Sequence, residues 1–510
     1  MPYGPHTADD RERMLAALGL TSVDQLFDDI PVALRASHLD LPDPEPELEL
    51  AARLRALAAR NRTDLASFLG AGVYRHWSPP AVDQMLLRGE WYTAYTPYQP
   101  EISQGTLQSI YEYESLLAEL VDLDVVSASH YDGAAATAEA ALMTCRATRR
   151  ERVLISRGVH PHYRETTTTY FEGGLELDEI PLIVDGDAAG TTDLVALERM
   201  LAEPGRPVAG VIAAQPDFLG LLEPMPEIGR LAHAAGALFV AVVEPVSLAV
   251  LEPPGAYGAD IAAGEGQPLG IAPQYGGPYL GILATTDALV RQIPGRLVGL
   301  TSDLDGRRAF VMTMRAREQD IRRDKAASNI CTNQALLALA ASIYLATIGP
   351  HGLRDVAALG ASRATELEAA LAAVGAGRLH PGPYLNEFAV RVPDARSVHR
   401  QLLDAGVLAG LVLADAEPGD PTLSDGLLVC ATEVTTSYEI ARFASALGAI
   451  LAAPVAGAAR RASPASASNR RSSSSAGRVA VVARSRTRPR TPWTGSPPGR
   501  GGPCRRPSRR

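Results

Sequence analysis

The sequence predicts an α/β protein: a large domain built on a mainly parallel central sheet, then a smaller C-terminal α+β domain. Three observations carry this. Between residues 65 and 330, short apolar runs alternate with longer helix-like runs. Two long apolar helical stretches follow, 334–345 and 353–374, and lead into the alternating segment Glu387-Phe388-Ala389-Val390-Arg391-Val392. At 510 residues and 46% hydrophobic content, the chain is long and apolar enough to bury more than one core.

Residues 1–64 read as a peripheral helical segment. Thr7-Ala8-Asp9-Asp10 caps a helix carrying Met14, Leu15 and Leu18, and Ser22 with Gln25 makes a second capping pattern before Leu26 and Phe27. The prolines of 42–46 break the chain, and 48–57 resumes helical spacing. These are packing signals.

The large domain spans 65–330. Asp124-Val125-Val126-Ser127 is a strand before a small-residue helix at 134–146, and Arg152-Val153-Leu154-Ile155 is a buried strand before a helix starting near His162. Apolar runs at 208–213 and 238–243 are further strands, separated by a helix at 228–235. Ligands of such sheets lie outside the carboxyl ends of the strands. The smaller domain spans 331–453, with short apolar runs at 411–413 and 427–430 completing its sheet. No internal repeat is visible. Residues 454–510 are rich in Ser, Pro, Gly and Arg and cannot bury a core, so they are expected to be disordered. Either they form a basic arm or, the reading we prefer, they are GC-rich sequence read out of frame.

Charge narrows the function. Fourteen arginines and no acidic residue fall in 460–510, so the rest of the chain carries −24 against an overall −10. An acidic body argues against nucleic acid as partner. There is no run of 18 apolar residues and no signal-peptide pattern at the N-terminus, so neither a membrane partner nor secretion is expected. Cys145, Cys331, Cys430 and Cys504 lack paired or metal-ligand spacing, which fits a reducing cytoplasm and no metal site.

The glycine-rich stretch 264–281 reads either as a turn or as a backbone cradle for a phosphate. Its opening, Glu265-Gly266-Gln267, holds no lysine. Of 48 basic residues only Lys325 is lysine, and arginine cannot form an imine, so Lys325 is the one possible internal Schiff-base donor. It lies in the charged run Arg322-Arg323-Asp324-Lys325, where an ion-paired role is the plainer reading. Arg315, Arg317, Arg322 and Arg323 suit either an anion or a salt-bridge network with Glu318, Asp320 and Asp324. The densest polar-aromatic stretch, 90–105, contains Tyr92, Tyr95, Tyr98, Gln99, Glu101, Ser103 and Gln104, which suit a small polar ligand or a subunit interface.

These segments also occur in one order: Phe68-Leu69-Gly70-Ala71-Gly72, the 92–104 stretch, Tyr131-Asp132-Gly133, His160-Pro161-His162-Tyr163-Arg164, the 264–281 loop, and the run from Arg317 through Asn329-Ile330-Cys331-Thr332-Asn333-Gln334. Together they closely resemble subunit 1 of the two-subunit glycine dehydrogenase (decarboxylating), the P-protein of the glycine cleavage system, over about residues 1–453. The resemblance implies an aspartate-aminotransferase-like fold, the type I fold of pyridoxal-phosphate enzymes. It implies glycine decarboxylation, with the aminomethyl group passing to the lipoyl arm of the H-protein.

The resemblance also implies that pyridoxal 5′-phosphate is held covalently by a partner, subunit 2, in an α2β2 heterotetramer. On this chain, Gly133 and Ala134 would stand at the phosphate-binding turn, His160 where a ring stacks on the cofactor, Glu244 near the place of the pyridine-pairing aspartate, and Gly266-Gln267 in place of the lysine. Tyr95, Tyr98, Gln99 and Glu101 are expected to reach the partner's substrate pocket, and Gly276 and Gly277 its cofactor phosphate. Two rivals are a purely structural or regulatory subunit and a self-sufficient pyridoxal-phosphate enzyme using Lys325.

Overall fold

The computed structural model describes residues 4–35, 40–92 and 95–453. The expectations for the 454–510 tail lie outside the described residues.

Among the described residues, fourteen strands are present in chain order: β1 Ala66–Ser67, β2 Val125–Val126, β3 Arg152–Ser156, β4 Glu176–Ile180, β5 Val208–Gln215, β6 Leu238–Val243 and β7 Ile261–Glu265. They continue with β8 Gly281–Thr285, β9 Leu297–Ser302, β10 Arg308–Thr313, β11 Glu387–Arg391, β12 Val407–Leu408, β13 Leu411–Val412 and β14 Gly426–Cys430.

Seven of them form the central sheet in the order β2-β8-β7-β6-β5-β3-β4. All pairs from β7 through β4 are parallel, and β8 alone runs against its neighbours β7 and β2. Continuous apolar runs make strands that can be covered on both faces; β3 and β7 are buried along their whole length. The Gly133–Thr148 helix owes its tight seat on the sheet to its alanines and to Gly210, where an added Cβ would stand 2.7 Å from Thr144.

The helix Ala335–Ala373 links two cores. The two helices expected from the sequence are joined here across a kink at Gly349, whose φ of 64° only glycine adopts cheaply, with Pro350 next to it. Ala338, Leu339 and Tyr344 enter the large core, and Ala364, Leu367 and Leu371 enter the small one. It is also the one described helix long and apolar enough to cross a membrane, but its inner faces are spent on these cores.

In the smaller sheet, β14 lies between β11 and β13, all antiparallel. Phe388, Val390, Leu427 and Val429 face Phe443 and Leu447 of the last helix, Ser437–Ala452. β1 pairs in parallel with β12, Ala66 opposite Val407, and Phe68 packs on Phe443 with ring centroids 4.8 Å apart. A separate apolar group joins the sheets, with Phe218, Leu219 and Leu221 against Ala389, Leu413 and Leu428.

The N-terminal helices Ala8–Ala17 and Glu47–Ala58 bury no residue. Thr7 and Asp10 form the expected reciprocal cap, and Gln25 Oε1 accepts from the Ser22 N–H. Met14, Leu18, Val23, Leu26 and Phe27 of this segment are all exposed.

Candidate functional site

At the carboxyl ends of β5, β6 and β7 a cavity of about 60 Å³ is bordered by residues from both sheets. Tyr74, His160, Asp217, Glu244, Glu265 and Glu387 are among its lining. Its position is the one the strand topology assigns to a ligand.

Glu265 ends β7 and is buried. One carboxylate oxygen accepts from the backbone N–H of Gly133, the first residue of its helix, at 2.9 Å. The other accepts from Gln267 and Leu280, each at 2.9 Å. A carboxylate thus sits at the positive end of a helix, where a phosphate would otherwise bind. Burial pushes its pKa up to about 7 against the opposing pull of these three N–H groups.

Gln267 is fully buried and its amide is entirely engaged. Its Oε1 accepts from the Tyr74 N–H at 2.9 Å, while Nε2 donates to the carbonyls of Tyr74 at 2.9 Å and Ile271 at 2.6 Å. Where a reactive amine would need freedom, this side chain staples the 70–77 loop.

Glu244, just after β6, turns back on its own turn: Oε1 accepts from the Val246 N–H at 3.0 Å and Oε2 from Ser247 at 2.7 Å. His160 caps the Pro161–Tyr170 helix. Its Nδ1 accepts from the His162 N–H at 3.1 Å, so Nε2 carries the proton and donates to the Ala71 carbonyl at 3.1 Å. Burial pulls this imidazole down to about 4, and it is neutral. Its ring meets Phe218 edge-on at 4.8 Å.

From the smaller sheet comes Glu387, buried, accepting from the Ala71 N–H at 2.7 Å and the Tyr74 hydroxyl at 2.8 Å. Burial raises its pKa to about 7, well above the ordinary carboxylate range. The folded state therefore binds a proton that the unfolded state releases. The stabilisation is full below the ordinary glutamate pKa and is lost as pH rises through about 7. Glu387→Gln keeps the shape and removes the titration. We expect wild-type stability to fall between pH 5 and 8, by up to about 3 kcal/mol from this group. The variant's melting temperature should fall less over that range, and parallel curves for the two proteins would refute the assignment.

The structure thus brings His160, Glu244 and Glu265 to one cavity, with Gly133 and Gln267 hydrogen-bonded to Glu265 and Ala134 half-buried beside Gly133. It does not bring the aromatic segment there. Tyr95, Gln99 and Glu101 are exposed, and Tyr98 lies under Arg315, whose guanidinium is 4.6 Å from its ring centroid. Gly276 and Gly277, with φ of 77° and 78°, form a surface turn beside fully exposed Tyr275. Lys325 is exposed in the short turn Arg323–Lys325 and does not line the cavity. Sequence reasoning missed Tyr74, Asp217 and Glu387. Asp217 had a signal, since it follows a strand that the apolar run revealed.

These residues do not fit pyridoxal phosphate. The helix N–H that would receive a phosphate is held by a buried carboxylate, the Glu244 oxygens are committed to backbone, and Gln267 offers no amine. The cavity, on a scale where one water takes about 10–15 Å³, has room for a few waters.

Comparison with known proteins follows the same line. A family profile described as "Glycine cleavage system P-protein" matches residues 1–447. A probable glycine dehydrogenase (decarboxylating) subunit 1 from Moorella thermoacetica is 50% identical over 456 residues, which is 89% of this chain and 100% of the relative. The crystal structure of a glycine decarboxylase (P-protein) of the glycine cleavage system, in inhibitor-bound form, superposes with a TM-score of 0.81 at 44% identity, covering 88% of this chain and 100% of that one. An alanine–glyoxylate aminotransferase from Nostoc sp. shares the fold at a TM-score of 0.52 and 16% identity, covering 83% of this chain and 99% of that one. The aminotransferase-like α/β architecture expected from the sequence is therefore present, and the chain belongs to the glycine cleavage system P-protein family as a subunit 1 of glycine dehydrogenase (decarboxylating), an oxidoreductase.

Proposed function

We propose that this chain is the non-anchoring half of a two-subunit glycine decarboxylase. Its partner, subunit 2, holds pyridoxal phosphate through a lysine of its own, and this chain completes the partner's active site. Glycine loses its carboxylate as CO2 there, and the aminomethyl group passes to the lipoyl arm of the H-protein; the cofactor supplies the electron sink.

The observation that carries the reading is the internal hydrogen bonding of the pocket's polar groups on this chain. The Gln267 amide has no free hydrogen-bonding group, and the Gly133 N–H is satisfied internally by Glu265. A chain so arranged has to borrow its catalytic amine. The exposed apolar side chains of the N-terminal segment, Met14, Leu18, Val23, Leu26 and Phe27, support an obligate partner, because such clusters mark association surfaces. An α2β2 assembly in a cytoplasmic setting is the arrangement we favour.

Within that complex, Tyr95, Tyr98, Gln99 and Glu101 are the proposed contributors to the partner's glycine pocket. Gly276 and Gly277 are the proposed N–H donors to its cofactor phosphate, which requires the Gly277 N–H to leave the Gln274 carbonyl it meets at 3.2 Å. Gly133, Ala134 and His160 are, in this reading, the remnant of a site that no longer holds its own cofactor.

The test is co-expression with subunit 2, borohydride reduction and peptide mapping. The reduced pyridoxyl label is expected on a subunit 2 lysine alone, with this chain unlabelled. Label on Lys325, or imine absorption by this chain purified by itself, would overturn the proposal.

A further inference from the structure

Glycine has two groups by which a protein can recognise it, an amine and a carboxylate. In the two-subunit reading above, on which this inference rests, the amine goes to the cofactor and the carboxylate needs a cation. The four side chains proposed for the partner's glycine pocket, Tyr95, Tyr98, Gln99 and Glu101, include no cation, and Glu101 repels a carboxylate. The missing charge lies beside that segment.

Three arginines are candidates, and their hydrogen bonds separate them. Arg317 donates to the carbonyls of Ile293 and Gly295. Arg296 is buried and donates to the Cys331 carbonyl at 2.6 Å and to Asn333 Oδ1 at 3.4 Å. Both guanidiniums are spent on holding loops. Arg315 is different. Its side chain is 38% exposed, its Nη2 donates to Asp320 Oδ2 at 2.8 Å, and its guanidinium carbon lies 4.6 Å from the centre of the Tyr98 ring. Among the described residues its Nη1 has no hydrogen-bond partner, and unlike its Nε that nitrogen is not buried. The aromatic face and the Asp320 carboxylate hold the guanidinium from two sides and leave one nitrogen open. Arginine keeps its proton, so the open nitrogen remains a charged donor. Such a donor to a carboxylate makes one of the stronger hydrogen bonds a protein can form.

We propose that Arg315 binds the carboxylate of glycine, lent to the partner's pocket together with Tyr98, on which it rests. Asp320 is then the residue that steadies it.

Two reagents that attack pyridoxal imines test this in the complex of the full chain with subunit 2, loaded with pyridoxal phosphate. Aminooxyacetate and O-methylhydroxylamine displace the lysine through the same aminooxy nitrogen and differ chiefly in the carboxylate. The ratio of their rate constants, followed by loss of imine absorption, reports carboxylate recognition and cancels changes in assembly or cofactor content. Arg315→Met should lower the ratio about tenfold or more, with O-methylhydroxylamine within about twofold of wild type, and should raise the glycine KM in parallel. An unmoved ratio removes the assignment. So does an equal fall in both rates, the result expected of an arginine that only shapes the loop or holds the cofactor's phosphate. If Arg315→Met does not assemble with subunit 2, Arg315→Lys takes its place: it keeps the charge and loses the planar fork, so the ratio should fall by about threefold, and no change refutes the role. Borohydride labelling of the same preparation keeps the two readings apart. Label on this chain takes down the two-subunit proposal and this assignment with it, whereas label on subunit 2 with an unmoved ratio takes down Arg315 alone.

Discussion

Glu265→Leu is expected to destabilise the protein by on the order of 5 kcal/mol, because it strands three buried N–H donors at about 1–3 kcal/mol each. The donors belong to Gly133, Gln267 and Leu280, and all three are given to the one carboxylate. A loss of that size approaches the whole stability of an ordinary domain. The expected result is little soluble protein, or unfolding at much lower denaturant. Glu265→Gln retains one oxygen and should lose about 1–2 kcal/mol, since its amide nitrogen must face one of those N–H groups. Comparing the denaturant midpoints of the two variants separates the lost acceptor from mere loss of charge. If leucine is tolerated as well as glutamine, the carboxylate is not what fixes the helix start.

Gly220→Ala is expected to have the second large effect, about 3 kcal/mol or more, by adding left-handed strain to a collision with main chain. Gly220 has φ of +86°, and a Cβ there would lie 2.0 Å from the carbonyl oxygen of Glu387 and 2.5 Å from its carbon. Main chain cannot rotate out of the way as a side chain can. The turn from Asp217 to Leu221 would have to move off β11, opening the seam where Phe218 and Leu221 meet Ala389 and Leu428. Limited proteolysis and a lowered melting temperature would report it. Gly306→Ala is the control: its φ is +77°, but nothing lies within 4 Å, so about 1–2 kcal/mol of backbone strain is all it should cost.

What could be read from the sequence follows from which signals are local. β3, β5 and β6 announced themselves as continuous apolar runs, and the 133–148 helix as a row of small residues. β4, with the sequence Glu-Leu-Asp-Glu-Ile, was hidden by the charge that an exposed edge strand carries. β8 was hidden behind the glycine and proline turn before it, and the β9–β10 hairpin by its polar distal half.

The same division runs through the candidate site. Gly133, His160, Glu244 and Glu265 could be found because each stands next to an apolar strand or a helix start. Tyr74 and Glu387 could not, because their hydrogen bond joins residues 313 apart in the chain. Nor does any local pattern say that Glu265, at the end of β7, will fill the start of a helix 132 residues away in the chain. The polar aromatic cluster was conspicuous in sequence, yet it lies at the surface, and its contribution is a matter for the assembled complex.

The parallel pairing of Ala66–Ser67 with Val407–Leu408 has a consequence for synthesis. Strand β1 leaves the ribosome long before its mate exists, and Phe68 cannot meet Phe443 until translation is almost complete. The smaller layer is therefore sewn shut by an early thread and a late one. A nascent chain halted before residue 407 displays an open strand edge, which is a template for pairing with other chains and calls for chaperone cover while the polypeptide is being made.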